Sequence, residues 1–185
     1  MSQGTQSTKD NRAPPRGPLV SAADVSEGNY ARARFDDDIA WTIKRTAQQR
    51  APTPKSVWTH QVGFASELAT SAYFGVSADW TIYGDFMGDD GYDLIVDDAR
   101  VEVKSVMKED DLVLRVPEDK IDDADWFVLT QCTNPKELVK LIGWITREKL
   151  RELGHRFDGC LCVEPDKLWI FEPVFLPPER IRATQ

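Results

Sequence analysis

Apolar residues recur every fourth position at Phe35, Ile39, Ile43 and Ala47. That is the spacing of one helix face. It predicts a helix over 36–50, stopped by Pro52 and Pro54. Ser56 then reads as the N-cap of a second helix running to about Phe74. Its apolar stripe is Val57, Phe64, Leu68 and Ala72, and Gly75 is its stop.

From there the period shortens. Short strands are expected at 80–83, 92–96, 101–106 and 112–116. The near-continuous apolar runs at 126–132 and 138–145 read as buried central strands, with Asn134-Pro135 turning between them. A short helix over 146–153 ends at Gly154, and a last strand is expected at 168–171. The order predicts an α/β fold with a mixed central β-sheet flanked by helices.

Residues 1–34 are rich in Ser, Gly, Pro, Gln and Arg and poor in large apolar side chains. Such a segment buries too little surface to offset its ordering entropy. The expectation is a disordered or loosely docked tail over 1–34 and a single domain over 35–185. No apolar run approaches the roughly 20 residues that cross a bilayer, and no signal segment is visible, so a cytoplasmic protein without membrane contact is expected. Cys132, Cys160 and Cys162 fit no four-ligand metal pattern and read as free thiols packed on or near strands.

The net charge is -8, carried largely by Asp clusters such as Asp36-Asp37-Asp38 and Asp122-Asp123. An acidic, Asp-rich surface of this kind is halophile-like, with net charge maintaining solubility at high salt. The charge is uneven. From Ile39 to Ser66 there is no acid, but there are Lys44, Arg45, Arg50 and Lys55. A local basic stripe matters more to phosphate binding than the sum. Arg147, Lys149 and Arg151 on the later helix, and Lys9, Arg12, Arg16, Arg32 and Arg34 in the tail, are further candidate contacts. Trp41 or Trp58, near the stripe, could stack on a base, and His60 could reach a phosphate.

The chemistry concentrates in 92–106. Strand side chains alternate faces, so Glu102 and Lys104 share one. A turn centred on Asp98-Ala99 would pair Val96 with Val101 and set Asp93 opposite Lys104. Asp93, Glu102 and Lys104 then project to one side. Two carboxylates can hold a hard divalent ion together with water and phosphate, and a lysine can oppose charge developing on a phosphodiester. Glu67, in mid-helix with Gly63 one turn before it, is a fourth candidate. The nearby acids Asp85, Asp89, Asp90 and Asp97 read as loop or turn residues.

At these residues the chain resembles the PD-(D/E)XK nuclease superfamily. The match is Glu67 on a helix, Gly91-Tyr92-Asp93-Leu94-Ile95 on one strand and Val101-Glu102-Val103-Lys104 on the next. It covers about 57–153, with Tyr92 standing where the named pattern has Pro. Gly143-Trp144-Ile145 leading into the helix at Thr146 is similar to members that resolve or nick DNA, Holliday junction resolvases among them.

The resemblance implies a restriction-endonuclease-like αβββαβ core and a Mg²⁺- or Mn²⁺-dependent endonuclease acting on DNA, with branched or structured DNA among the candidate substrates. It implies metal binding by Asp93 and Glu102, with Glu67 as the helical acid and Lys104 as the catalytic lysine. The alternatives are a non-catalytic nucleic-acid-binding or assembly module on the same fold, or a nuclease acting on RNA or free ends. A homodimer is left open.

Overall fold

The computed structural model of the chain describes residues 30–51, 53, 56–78, 91–108, 111–135 and 138–182. Its strands are β1 (Ala31–Arg34), β2 (Leu94–Val96), β3 (Ala99–Val106), β4 (Leu114–Pro117), β5 (Trp126–Asn134), β6 (Leu138–Thr146), β7 (His155–Phe157), β8 (Cys160–Val163) and β9 (Phe175–Leu176). Its helices are α1 (Asp37–Arg50), α2 (Val57–Phe74), α3 (Arg147–Leu153) and α4 (Pro178–Arg182).

The architecture is α/β. A mixed six-stranded sheet has the order β2-β3-β5-β6-β1-β9, and a smaller antiparallel sheet has the order β4-β8-β7. β3 runs parallel to β5 and β1 parallel to β9, while the other pairs in the large sheet are antiparallel.

Period-two alternation splits the core in two. Ala31, Ala33, Val101, Trp126, Val128, Val139 and Leu141 face α1 and α2, whose Ile39, Ile43, Phe64, Leu68 and Ala72 cover them. On the other face, Phe127, Leu129, Ile142 and Ile145 pack against Leu114, Val116, Leu161 and Val163 of the small sheet and Leu150 of α3. Phe127 and Leu129 are fully buried, worth roughly 1.5–3 kcal/mol each.

Local chemistry fixes the helix ends. The Asp36 carboxylate accepts the Ile39 N–H at 3.1 Å as the cap of α1. Gly75 closes α2 in the left-handed conformation at φ 70°. Thr146 caps α3, and Ser56 precedes α2 without a capping side-chain bond. No described helix is long and apolar enough to cross a membrane.

Several boundaries differ from the sequence expectation. The tail expected over 1–34 lies outside the described residues up to Asn29, and its last four residues form β1 between β6 and β9. The strand expected at 80–83 also lies outside them. The strand expected at 168–171 is reduced to a bridge between Trp169 and Trp144. β7 and β8, which the periodicity did not predict, form the small sheet with β4. The three cysteines are free thiols on β5 and β8, and burial pushes the Cys132 thiol up to about 12.

Candidate active site

The β2–β3 hairpin turns on Asp97 and Asp98, both left-handed at φ 47° and 67°. Two such residues make the tight turn whose twist suits a hairpin, and Asp tolerates the conformation. The register is Val96↔Ala99, Ile95↔Arg100 and Leu94↔Val101. It differs from the expected Val96–Val101 pairing by two positions. A two-residue shift preserves faces, so Asp93 comes abreast of Glu102 instead of Lys104, with all three still on one side.

Asp93 precedes β2 by one residue. Its N–H donates to Val101 O at 2.9 Å, and its Oδ2 accepts the Val103 N–H at 2.6 Å. Lys104 Nζ ion-pairs with Glu102 Oε1, with side chains 30% and 16% exposed.

Glu67 comes from α2, which packs on β2 and β3. A Cβ added at Gly63 would stand 3.7 Å from Glu67 Oε1. The carboxylate therefore folds back one turn over the bare backbone of Gly63, as helical side chains do. Burial first, then the charges of Glu67 and Glu102, push the Asp93 carboxyl well above the usual carboxylate range. The Val103 N–H and the Lys104 ammonium pull the other way. Glu67, Glu102 and Lys104 thus all act on the Asp93 carboxyl.

Two features that the sequence reading missed hold the cluster in place. Gly91 sits at φ 80°, and a Cβ there would meet the Asp123 Cβ at 2.7 Å. The backbone must pass this close to lead into Asp93. Asp125 braces β3 to the start of β5. Its carboxylate accepts the Arg100 N–H at 3.0 Å and Arg147 Nη2 at 3.1 Å, and its own N–H reaches Arg100 O at 2.8 Å. Against its burial, these bonds and the two guanidinium charges keep the Asp125 carboxyl below the usual range. A D-G or G-Y-D string carries no sequence signal for such a brace, because the partners are distant in the chain.

The remaining predicted contacts are scattered. Lys44 and Arg45 are exposed on α1, where the Arg45 guanidinium lies 5.2 Å from the ring centroid of Trp41. For Arg50 only the backbone is described, and Lys55, Asp85, Asp89 and Asp90 lie outside the described residues. Arg147 is held by Asp125, Arg151 pairs with Asp122 at 2.6 Å, and Lys149 pairs with Glu152 at 2.6 Å. His60 is half-buried on α2 two turns before Glu67, on the same face.

Among the described residues, no group of three or more His, Cys, Asp or Glu is disposed to hold a metal ion. The donor chemistry still suits one. Glu67, Asp93 and Glu102 offer hard oxygen ligands, and Mg²⁺ needs only one or two of them beside water. No family model, characterised protein or solved structure matches the chain.

Proposed function

We propose that the chain is a divalent-metal-dependent endonuclease of the PD-(D/E)XK kind, hydrolysing DNA phosphodiester bonds and suited to branched or structured DNA. The observation that carries this reading is the buried Asp93 carboxyl, which feels the charges of Glu67, Glu102 and Lys104, beside the Lys104–Glu102 ion pair. Two acids and one lysine on a half-buried strand pair, with a third acid from α2, are costly to keep for stability alone.

Asp93 and Glu102, with Glu67, would hold Mg²⁺ or Mn²⁺, which when bound lowers the pKa of water and offsets phosphate charge. The Val103 N–H holds the Asp93 carboxylate through Oδ2. Lys104, released from Glu102, would bind a non-bridging phosphate oxygen and oppose the charge added in the transition state. Glu67 orients a water from the helix side. Lys44 and Arg45 on α1 would hold the flanking backbone. Arg147, Lys149 and Arg151 would do so only by leaving their acidic partners.

A second reading, a binding or assembly module on the same fold, is favoured by the Lys104–Glu102 ion pair, which neutralises both groups without an ion. Incubation with plasmid, linear and four-way-junction DNA, with RNA as a further arm, with and without Mg²⁺, separates the two. The enzyme reading requires metal-dependent cleavage of DNA, and binding without cleavage supports the module.

A further inference from the structure

Among the described tryptophans, Trp41 and Trp58 are the exposed ones, at 59% and 43%. Both fall within 39–66, a stretch without one acidic residue in a chain of net charge -8. Trp41 stands on the outer face of α1. Ile39, Ile43 and Ala47 turn the opposite side of that helix into the core. Lys44, Arg45 and Gln48, three, four and seven residues after Trp41, share its face, and all are exposed.

The Arg45 guanidinium lies over the Trp41 ring, 5.2 Å from its centroid, yet the tryptophan stays exposed. Among the described residues, Lys44 and Arg45 form no ion pair with a carboxylate. Arg100, Arg147, Lys149 and Arg151, by contrast, are each held by an acid. The acids of this face, Asp37 and Asp38, stand in the first turn of α1, where they complement the helix dipole. Beyond them the face carries one flat ring and two cations, all open to solvent. A ligand that alternates flat bases with phosphates matches both. Proteins hold single-stranded nucleic acid in this way, with bases stacked on aromatic rings, arginine adding a cation–π contribution and cations following the backbone. A duplex offers the phosphates, but its base faces are already stacked on one another.

We propose that the outer face of α1 is a platform for an unpaired DNA strand, with a base stacked on Trp41 and the flanking phosphates on Lys44 and Arg45. This rests on the nuclease reading for the choice of DNA as ligand. It narrows the substrate to DNA with an unpaired nucleotide, bound on the helix that packs against α2, the source of Glu67.

The test is fluorescence anisotropy in metal-free buffer with chelator, using a labelled single-stranded oligonucleotide and a blunt duplex of the same sequence. Trp41→Ala should weaken single-strand binding about tenfold, with its salt dependence unchanged and little effect on the duplex. Trp41→Tyr should keep most of the affinity. Lys44→Gln and Arg45→Gln should each flatten the single-strand salt dependence by about 0.7 of a slope unit. Phe157→Ala removes an aromatic that is also exposed but lies outside the acid-free stretch, and should bind like wild type. Melting and sedimentation of each variant are read alongside. The platform is overturned if wild type binds no single strand, if Trp41→Ala binds it like wild type or loses single strand and duplex alike, or if the Lys44→Gln/Arg45→Gln double variant keeps the wild-type slope. A Trp41→Ala variant that changes only the oligomeric state also overturns it, and makes the face a contact between copies of the chain. Cleavage by wild type in Mg²⁺ is scored separately, so the platform can fail while the nuclease reading stands, and the reverse.

Discussion

The Val103 N–H donates to Asp93 Oδ2 at 2.6 Å, so a side-chain carboxylate takes a place that a strand carbonyl would otherwise fill. This one bond ties the first candidate acid to the strand carrying Glu102 and Lys104. Asp93→Ala would strand that N–H and should cost about 1–3 kcal/mol. Asp93→Asn keeps an acceptor, and its effect depends on pH. Burial and the charges of Glu67 and Glu102 raise the Asp93 carboxyl in the folded protein. Between the unfolded value, about 3.9, and the raised folded value, the native state holds the extra proton. Stability therefore falls as pH rises across that interval. Without metal, Asp93→Asn should be more stable than wild type near neutral pH, and the gain should vanish in acid. Thermal melts against pH check this, and parallel curves for the two proteins would contradict it.

A cation at the cluster reverses that penalty. Mg²⁺ should raise the melting temperature of wild type, by an amount corresponding to about 2.7 kcal/mol at a hundredfold excess over Kd. The rise should be largely absent in Asp93→Asn. Calorimetric scans with chelator and with Mg²⁺ measure it.

Gly91 leads the chain into Asp93 at φ 80°, against the Asp123 side chain. Gly91→Ala combines backbone strain with that clash and should cost about 1–3 kcal/mol. Adding Asp123→Gly should recover the part due to contact and leave the part due to φ. A double-mutant cycle by denaturant unfolding separates them.

The basic residues divide by partner. Arg147 is 24% exposed and bonded to Asp125, so Arg147→Ala should lower stability by about 1 kcal/mol and leave the salt dependence of DNA binding unchanged. Lys44→Ala/Arg45→Ala should do the opposite, flattening the dependence by about one slope unit per duplex phosphate contact with little change in melting temperature.

The parts of the fold legible in the sequence are those with strong periodicity. The fourfold spacing of Phe35, Ile39, Ile43 and Ala47 gave α1, and the apolar runs gave β5 and β6. β1 was missed because its buried residues are only alanines, whose burial comes from the helices above them. The β7–β8 hairpin did carry a signal. Asp158 and Gly159 lie at φ 50° and 72° between His155–Phe157 and Cys160–Val163, the D-G turn of a two-residue hairpin. The three exposed residues of β7 made no apolar alternation to flag it.

For the site, parity mattered more than register. The turn proved one residue earlier than expected, which moved Asp93 from Lys104 to Glu102, yet the even shift kept the acids and the lysine on one face.

The most direct test is the rate of DNA cleavage in Mg²⁺ by wild type, Asp93→Asn, Glu102→Gln and Lys104→Ala, each shown to be folded. The account predicts no cleavage in chelator, cleavage by wild type in Mg²⁺ or Mn²⁺, and a loss of at least about a hundredfold in each variant. Folded wild type that cuts no DNA with either metal, or variants that cut as fast as wild type, would contradict it.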